Sequence, residues 1–166
     1  MSKDSPLQFH IVDLPPEGVD VRGEVPFAAL AIEADELLSF PSPLSYELNL
    51  APVQDGVLVR GSLRAAVVRL CDRCLAAGEV QVTVAAVCHH VEHVEGAVLD
   101  LTEALREDIL LSFPQAWLCR VDCRGLCPHC GCDLNREACR CSRSGAAAGV
   151  EAPWGVLDDW LRRDGG

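Results

Sequence analysis

Apolar and polar residues alternate through the middle of the chain, and a two-residue period predicts strands rather than helices. Tyr46, Leu48 and Leu50 share one parity of Ser45–Leu50. Gln54-Asp55-Gly56 is a turn signal. A long strand follows over Gly56–Leu70, with Val57, Val59, Leu63, Ala65 and Val67 on one parity and Arg60, Ser62 and Arg64 on the other. Arg69 falls on the apolar parity, which predicts a bulge near Ala65-Ala66. After Cys71-Asp-Arg-Cys74 the chain turns through Ala76-Ala77-Gly78. It returns with Val80, Val82 and Val84 inward. The expectation is an antiparallel hairpin with a C-x-x-C pair at its tip.

Elsewhere the period changes. Phe9–Leu14 reads as a short strand stopped by Pro15 and Pro16. Between Glu24 and Phe40, Leu30, Ala34 and Leu37 or Leu38 return at helical spacing, which predicts helical pieces ended by Pro41. Leu101, Leu105, Ile109 and Phe113 recur every four residues, so a helix is expected over 100–113, with Pro114 ending it. Asp100 and Glu103 fit a capping box at its start. The carboxylates on its far side read as a solvated face. His89, His90 and His93, with Glu92 and Glu95 nearby, read as a solvated strand end or loop, with a metal site as the sharper alternative. A linker is expected over 142–150. A last helix over 151–166 carries Trp154, Leu157 and Leu161 on one stripe and docks on its own protein or on a partner.

The fold class predicted is α+β: an antiparallel β-rich scaffold, meander or barrel-like, with a packing helix and a cysteine-rich zinc-knuckle module. The scaffold would span 1–118 and the cysteine module 119–141. Hydrophobic residues make up 49% of the chain, enough for one ordinary core, but only eight residues are aromatic, so Val, Leu and Ala must fill it. The apolar runs are too short to span a bilayer, and the first residues lack the plan of a signal peptide, so a cytoplasmic location is expected. Thiols stay reduced there, and clustered cysteines favour metal over disulfides.

Net charge is −11, which counts against the whole surface binding nucleic acid. Residues 1–118 carry 7 basic and 18 acidic side chains, whereas 119–143 carry five arginines against three acids. That basic stretch holds seven of the ten cysteines. Cys127-Pro-His-Cys130-Gly is a metal knuckle: Pro128 stiffens it, and Gly131 lets backbone N–H groups reach the sulfurs. Tetrahedral zinc needs a second pair, and three are available: Cys119/Cys123, Cys139/Cys141 and Cys71/Cys74. Four pairs are enough for one zinc or two. Cys132 and Cys88 fall outside the pairs, Cys88 reading as a small buried hydrophobe. An all-cysteine set with no glutamate at signature spacing suggests a closed structural site and weighs against a metal-dependent hydrolase. A thiol redox or zinc-dependent regulatory protein is the remaining alternative.

Cys-Asp-Arg-Cys-Leu at 71–75, Glu-Asp-Ile-Leu-Leu-Ser-Phe-Pro at 107–114, Cys-Arg-Val-Asp-Cys-Arg-Gly-Leu-Cys-Pro-His-Cys-Gly at 119–131 and Pro-Trp at 153–154 occur in that order. In this the chain resembles the bacterial YceD family, the large ribosomal RNA subunit accumulation proteins. The resemblance implies a non-catalytic ribosome-biogenesis factor needed for accumulation or processing of 23S rRNA. It also implies a first zinc site at Cys119, Cys123, Cys127 and Cys130, with Cys139, Cys141, Cys71 and Cys74 as an alternative or second site. Arg120, Arg124, Arg136, Arg140 and Arg143 would contact large-subunit ribosomal RNA or a basic ribosomal protein; no membrane and no small-molecule substrate are expected.

Overall fold

In a computed structural model of the chain, which describes residues 6–12, 14–92 and 98–141, the alternating stretches become one long antiparallel meander. β1 (Gln8–His10) is followed by β2 (Val19–Val25), a 3-10 turn (Phe27–Leu30) and β3 (Leu38–Ser39). Then come β4 (Leu44–Val53), β5 (Gly56–Leu70), β6 (Ala77–Glu92), β7 (Val98–Asp100) and α1 (Thr102–Leu111). β2 lies outside β4, β4 pairs with β5, and β6 pairs with the other edge of β5. β1 and β7 form a separate two-stranded ribbon. Among the described residues no helix is long and apolar enough to cross a membrane.

The predicted parity is the observed one. Leu44, Tyr46, Leu48 and Leu50 of β4 and Val57, Val59, Leu63, Ala65 and Val67 of β5 are buried in one core. The bulge lies elsewhere than expected. The register shifts between Gly61 and Leu63, where Gly61 faces Val87 and Leu63 faces Val84, so the extra residue is in β6 at Ala85-Ala86. That slip moves the inward set of β6 from Val82 and Val84 to Val87, His89 and Val91. Arg69 needs no bulge: its guanidinium donates to the Pro114 carbonyl and faces Asp72. An aliphatic stem on the core parity with its charge led to the rim is ordinary snorkelling.

Of the helical pieces expected over Glu24–Phe40, only a short 3-10 turn forms. β2 runs through Val25, Pro26 stops it, and only one 3-10 turn follows, closed by Ala31 in the left-handed region. Its apolar residues still reach the core: Phe27 stacks on Phe40 with centroids 4.0 Å apart, and both lie against Phe113. α1 buries Leu105 and Ile109 completely and packs on β6 and the 3-10 turn. Burial of a side chain the size of Ile109 contributes about 1.5–3 kcal/mol. Arg106 donates to the Leu30 carbonyl at 2.9 Å, and His89 Nε2 lies 2.7 Å from an Asp108 carboxylate oxygen. The capping box is replaced by a tighter device. Asp100 Oδ1 accepts from the Thr102 N–H at 2.8 Å, and Leu101 is the N-cap residue, without a side-chain cap.

The chain divides into two compact units, Met1–Gly125 and Leu126–Gly166. The boundary falls inside the cysteine run, between Cys123 and Cys127. Within the second unit, Leu126 and Asp133 form an antiparallel bridge and the Cys127 N–H donates to the Cys132 carbonyl at 2.8 Å. Asp133 then organises the next turn: its carboxylate accepts from the Asn135 backbone, and its carbonyl accepts from the Arg136 and Glu137 N–H groups. The expected linker and last helix lie outside the described residues.

Candidate metal centres

The tip of the β5–β6 hairpin is a tight turn closed on itself. Leu75 N–H donates to the Cys71 carbonyl and Cys71 N–H to the Ala76 carbonyl, both at 2.9 Å. Leu75 takes φ of 58°, a left-handed conformation that costs a non-glycine residue about 1–2 kcal/mol. This puts the Cys71 and Cys74 sulfurs on the same side of the turn. The chain leaving α1 comes back to that tip. Trp117 N–H donates to Asp72 Oδ2 at 2.7 Å, and Asp72 N–H donates to the Trp117 carbonyl at 3.0 Å. The ring of Trp117 lies over Gly78, where a Cβ would stand 2.2 Å from it. Arg73 then donates to the Cys123 carbonyl at 3.0 Å.

The result is a four-cysteine cluster of Cys71, Cys74, Cys119 and Cys123, with all four sulfurs within 4.8 Å of one another. Cys71–Cys123 is 3.8 Å and Cys74–Cys119 is 3.6 Å. A tetrahedron with Zn–S bonds of 2.3 Å has sulfur–sulfur edges of about 3.8 Å, so these spacings fit the ion. Cys71, Cys74 and Cys123 are buried and Cys119 is exposed.

The second cluster lies wholly in the second unit and consists of Cys127, Cys130, Cys132 and Cys139, again within 4.8 Å. Cys130–Cys139 is 3.6 Å and Cys139–Cys127 is 3.2 Å. Gly131, at φ of 72°, lets its N–H donate to the Cys127 carbonyl at 2.8 Å and turns the chain under the sulfurs. Cys141 is at the margin: its N–H donates to Cys139 Sγ at 3.2 Å.

One thiol of the first cluster, Cys71, and two of the second, Cys127 and Cys130, are lowered. Burial pushes the Cys71 thiol up, but backbone N–H groups of Cys119, Arg73 and Cys74 outweigh it and hold its pKa at about 6. The N–H groups of Cys130 and His129, with the Cys139 thiol, lower Cys127 to about 6. Neighbouring sulfurs then resist further ionisation. Cys74 and burial push Cys119 up to about 12, and Cys130 with burial does the same to Cys132. A dication among four sulfurs removes that conflict, because each anion then faces the metal.

The cysteines expected to bind metal are therefore brought together, but in other groups than the resemblance implied. Cys119/Cys123 joins Cys71/Cys74 rather than Cys127/Cys130, because the Asp72–Trp117 bonds return the chain to the hairpin tip. Cys127/Cys130 takes Cys139 and also Cys132, which pairing by spacing had left out. Cys88 is exposed on β6 rather than buried. His89 and His90 belong to neither cluster, and His93 lies outside the described residues, as does Arg143. Arg120 pairs with Asp122 at 3.5 Å and Arg136 with Asp133 at 3.3 Å; both arginines, with Arg124 and Arg140, are on the surface. Sequence reasoning passed over Asp72 and Arg73, the two residues inside C-x-x-C, although polar residues in that position are the ones able to bond across to a second knuckle.

Among the described residues, a strand-rich antiparallel scaffold with one helix and two cysteine clusters able to hold a metal ion defines the class of protein. The family model described as "Large ribosomal RNA subunit accumulation protein YceD" matches residues 86–159. The uncharacterized protein ML1660 of Mycobacterium leprae is 31% identical in an alignment 149 residues long that covers 78% of this chain and 68% of that protein. The chain belongs to the YceD family. The uncharacterized protein Rv2926c of Mycobacterium tuberculosis is 33% identical in an alignment 109 residues long that covers 57% of this chain, which spans about half the length of that relative (53%). No solved structure matches the chain.

Proposed function

We propose that the protein is a non-catalytic ribosome-biogenesis factor, acting in the cytoplasm, that supports accumulation of 23S rRNA in the large ribosomal subunit. In this reading Zn2+ is held by Cys71, Cys74, Cys119 and Cys123, and a second Zn2+ by the cluster around Cys127, Cys130 and Cys139. The observation that carries the metal assignment is the sulfur–sulfur spacing of 3.6–3.8 Å in the first cluster. The role rests on family membership and on the matched family's description. Four thiolates close a tetrahedral ion to substrate, so the metals fix backbone geometry and leave the surface to act.

What that surface offers is arginine. Arg73, Arg120 and Arg124 are exposed on the turns of the first cluster, and Arg136 and Arg140 on those of the second. Exposed ion pairs such as Arg120–Asp122 are worth about 0–1 kcal/mol, so an arginine can exchange one for an RNA phosphate. The excess of acidic residues over 1–118 favours a second contact, to a basic ribosomal protein in the same particle.

A deletion strain tests the role. The expected result is accumulation of precursor 23S rRNA and a deficit of large subunits, restored by the wild-type gene but not by one encoding Cys71→Ser and Cys123→Ser together. Normal rRNA processing and subunit ratios in the deletion strain would overturn it. In the same strain Arg120→Glu with Arg124→Glu should lower crosslinking to 23S rRNA; unchanged crosslinking with restored growth would assign the contact to a ribosomal protein.

A further inference from the structure

The second cluster holds more sulfur than one ion can use. Tetrahedral zinc takes four ligands. Cys127, Cys130 and Cys139 are accompanied by Cys132, whose sulfur lies within 4.8 Å of all three, and also by Cys141. The Cys141 thiol sits against those of Cys139 and Cys130, and its N–H bonds to Cys139 Sγ at 3.2 Å. Cys132 is likewise placed against Cys130 and Cys139. The two candidates for the fourth position thus approach the same pair of sulfurs from opposite ends of one short segment. The first cluster differs: its four thiols account for the four positions, and three of them are buried.

We propose that Cys132 and Cys141 share the fourth position of the second site, so that one thiol always stands free beside the metal, and that this free thiol makes the site a target for hydrogen peroxide. The inference rests on the zinc reading given above. The free thiol attacks the peroxide O–O bond, giving a sulfenic acid and water. A neighbouring ligand, Cys130 or Cys139, then attacks the sulfenic sulfur; a disulfide forms and a second water leaves, taking up one proton. The two sulfurs lose two electrons, the peroxide gains them, and zinc keeps its oxidation state. Three thiolates remain of five, one short of a closed set, and the metal is released. No equivalent route exists at the first cluster, where every thiol would be engaged with the ion.

The test is zinc stoichiometry by native mass spectrometry on the full chain purified without oxygen, before and after one equivalent of hydrogen peroxide. The wild type should carry two zinc ions and keep one after peroxide, with a disulfide joining Cys132 or Cys141 to Cys130 or Cys139. Cys132→Ser and Cys141→Ser should each carry two and keep both, since neither has a surplus thiol. The double variant should carry one. Loss of one zinc from either single variant, or retention of two by the double variant, would overturn the shared position. Release of zinc from both single variants as readily as from the wild type would overturn the role of the free thiol. A wild type with no zinc would defeat the zinc reading itself. A wild type with one zinc that Cys127→Ser does not remove would leave the first site standing and defeat this inference alone.

Discussion

Asp72 is expected to control metal affinity at the first cluster without touching the metal. Its carboxylate accepts the Trp117 N–H at 2.7 Å, and its own N–H donates to the Trp117 carbonyl. Those two bonds deliver the chain to Cys119. Removing the carboxylate in Asp72→Ala leaves the backbone bond and deletes the charged one. A hydrogen bond to a charged group contributes about 1.5–3 kcal/mol. Asp72 is 42% exposed, so water competes and the low end applies, about 1.4 kcal/mol after screening. The Arg69 contact at 3.7 Å adds little at the surface. Because the bond is made in the arrangement that brings Cys119 to the hairpin, its loss appears as roughly tenfold weaker zinc binding. Competition against a chelator of known affinity measures it, with the second cluster as an internal reference. Asp72→Asn keeps an acceptor oxygen and should lose less. Equal affinity in wild type and Asp72→Ala, or equal losses at both clusters, would refute the reasoning.

Other substitutions probe the same tip. Gly78→Ala places a Cβ 2.2 Å from the Trp117 ring and should destabilise the protein by about 1–3 kcal/mol in urea unfolding; Trp117→Ala should relieve most of that penalty in a double-mutant cycle. Leu75→Gly removes left-handed strain at a residue that is 55% exposed, and should stabilise the metal-bound protein by about 1 kcal/mol; a loss of stability would show that the leucine side chain matters more than its backbone. Zinc affinity at the first cluster should fall as pH falls. Around neutral pH the metal-free Cys74, raised by burial and by the Cys123 and Cys71 thiols despite the Ala76 N–H, and Cys119, at about 12, hold protons that zinc must displace. These two protons alone give at least about a hundredfold change in affinity per pH unit. Below Cys71's value of about 6 a further proton steepens the slope; a pH-independent affinity would refute this.

Much of the scaffold was legible because β4 and β5 are buried on one face only, and a two-residue period then has one reading. The segment before β4 was not: Leu30, Ala34 and Leu37 repeat at helical spacing, yet Pro26 and the needs of the β2–β4 pairing decide the backbone. Arg69 on the apolar parity suggests a bulge beside it, yet a long aliphatic stem can lie on the core parity and the extra residue is at Ala85-Ala86. At the cysteines, spacing shows which residues come together as local pairs at Cys71/Cys74, Cys119/Cys123 and Cys127/Cys130. Which distant pairs meet depends on the bonds made by Asp72, Arg73 and Trp117, and no spacing encodes those. Pairing by spacing leaves out Cys132, whereas the second cluster gathers its cysteines by proximity.

An ion held by the first cluster would close a loop of 45 residues between Cys74 and Cys119. Cross-linking a loop of that length removes about 4 kcal/mol of chain entropy from the unfolded state. There is also a consequence for synthesis. The hairpin tip leaves the ribosome with half a metal site, and at ordinary elongation rates its partner follows roughly 2 to 9 s later. In that interval Cys71 and Cys74 are an open dithiol, able to hold an ion weakly or to be oxidised. Fragment boundaries inherit the same constraint: a piece cut to residues 86–159, the span matched by the family model, lacks both hairpin cysteines and can rebuild only the second cluster.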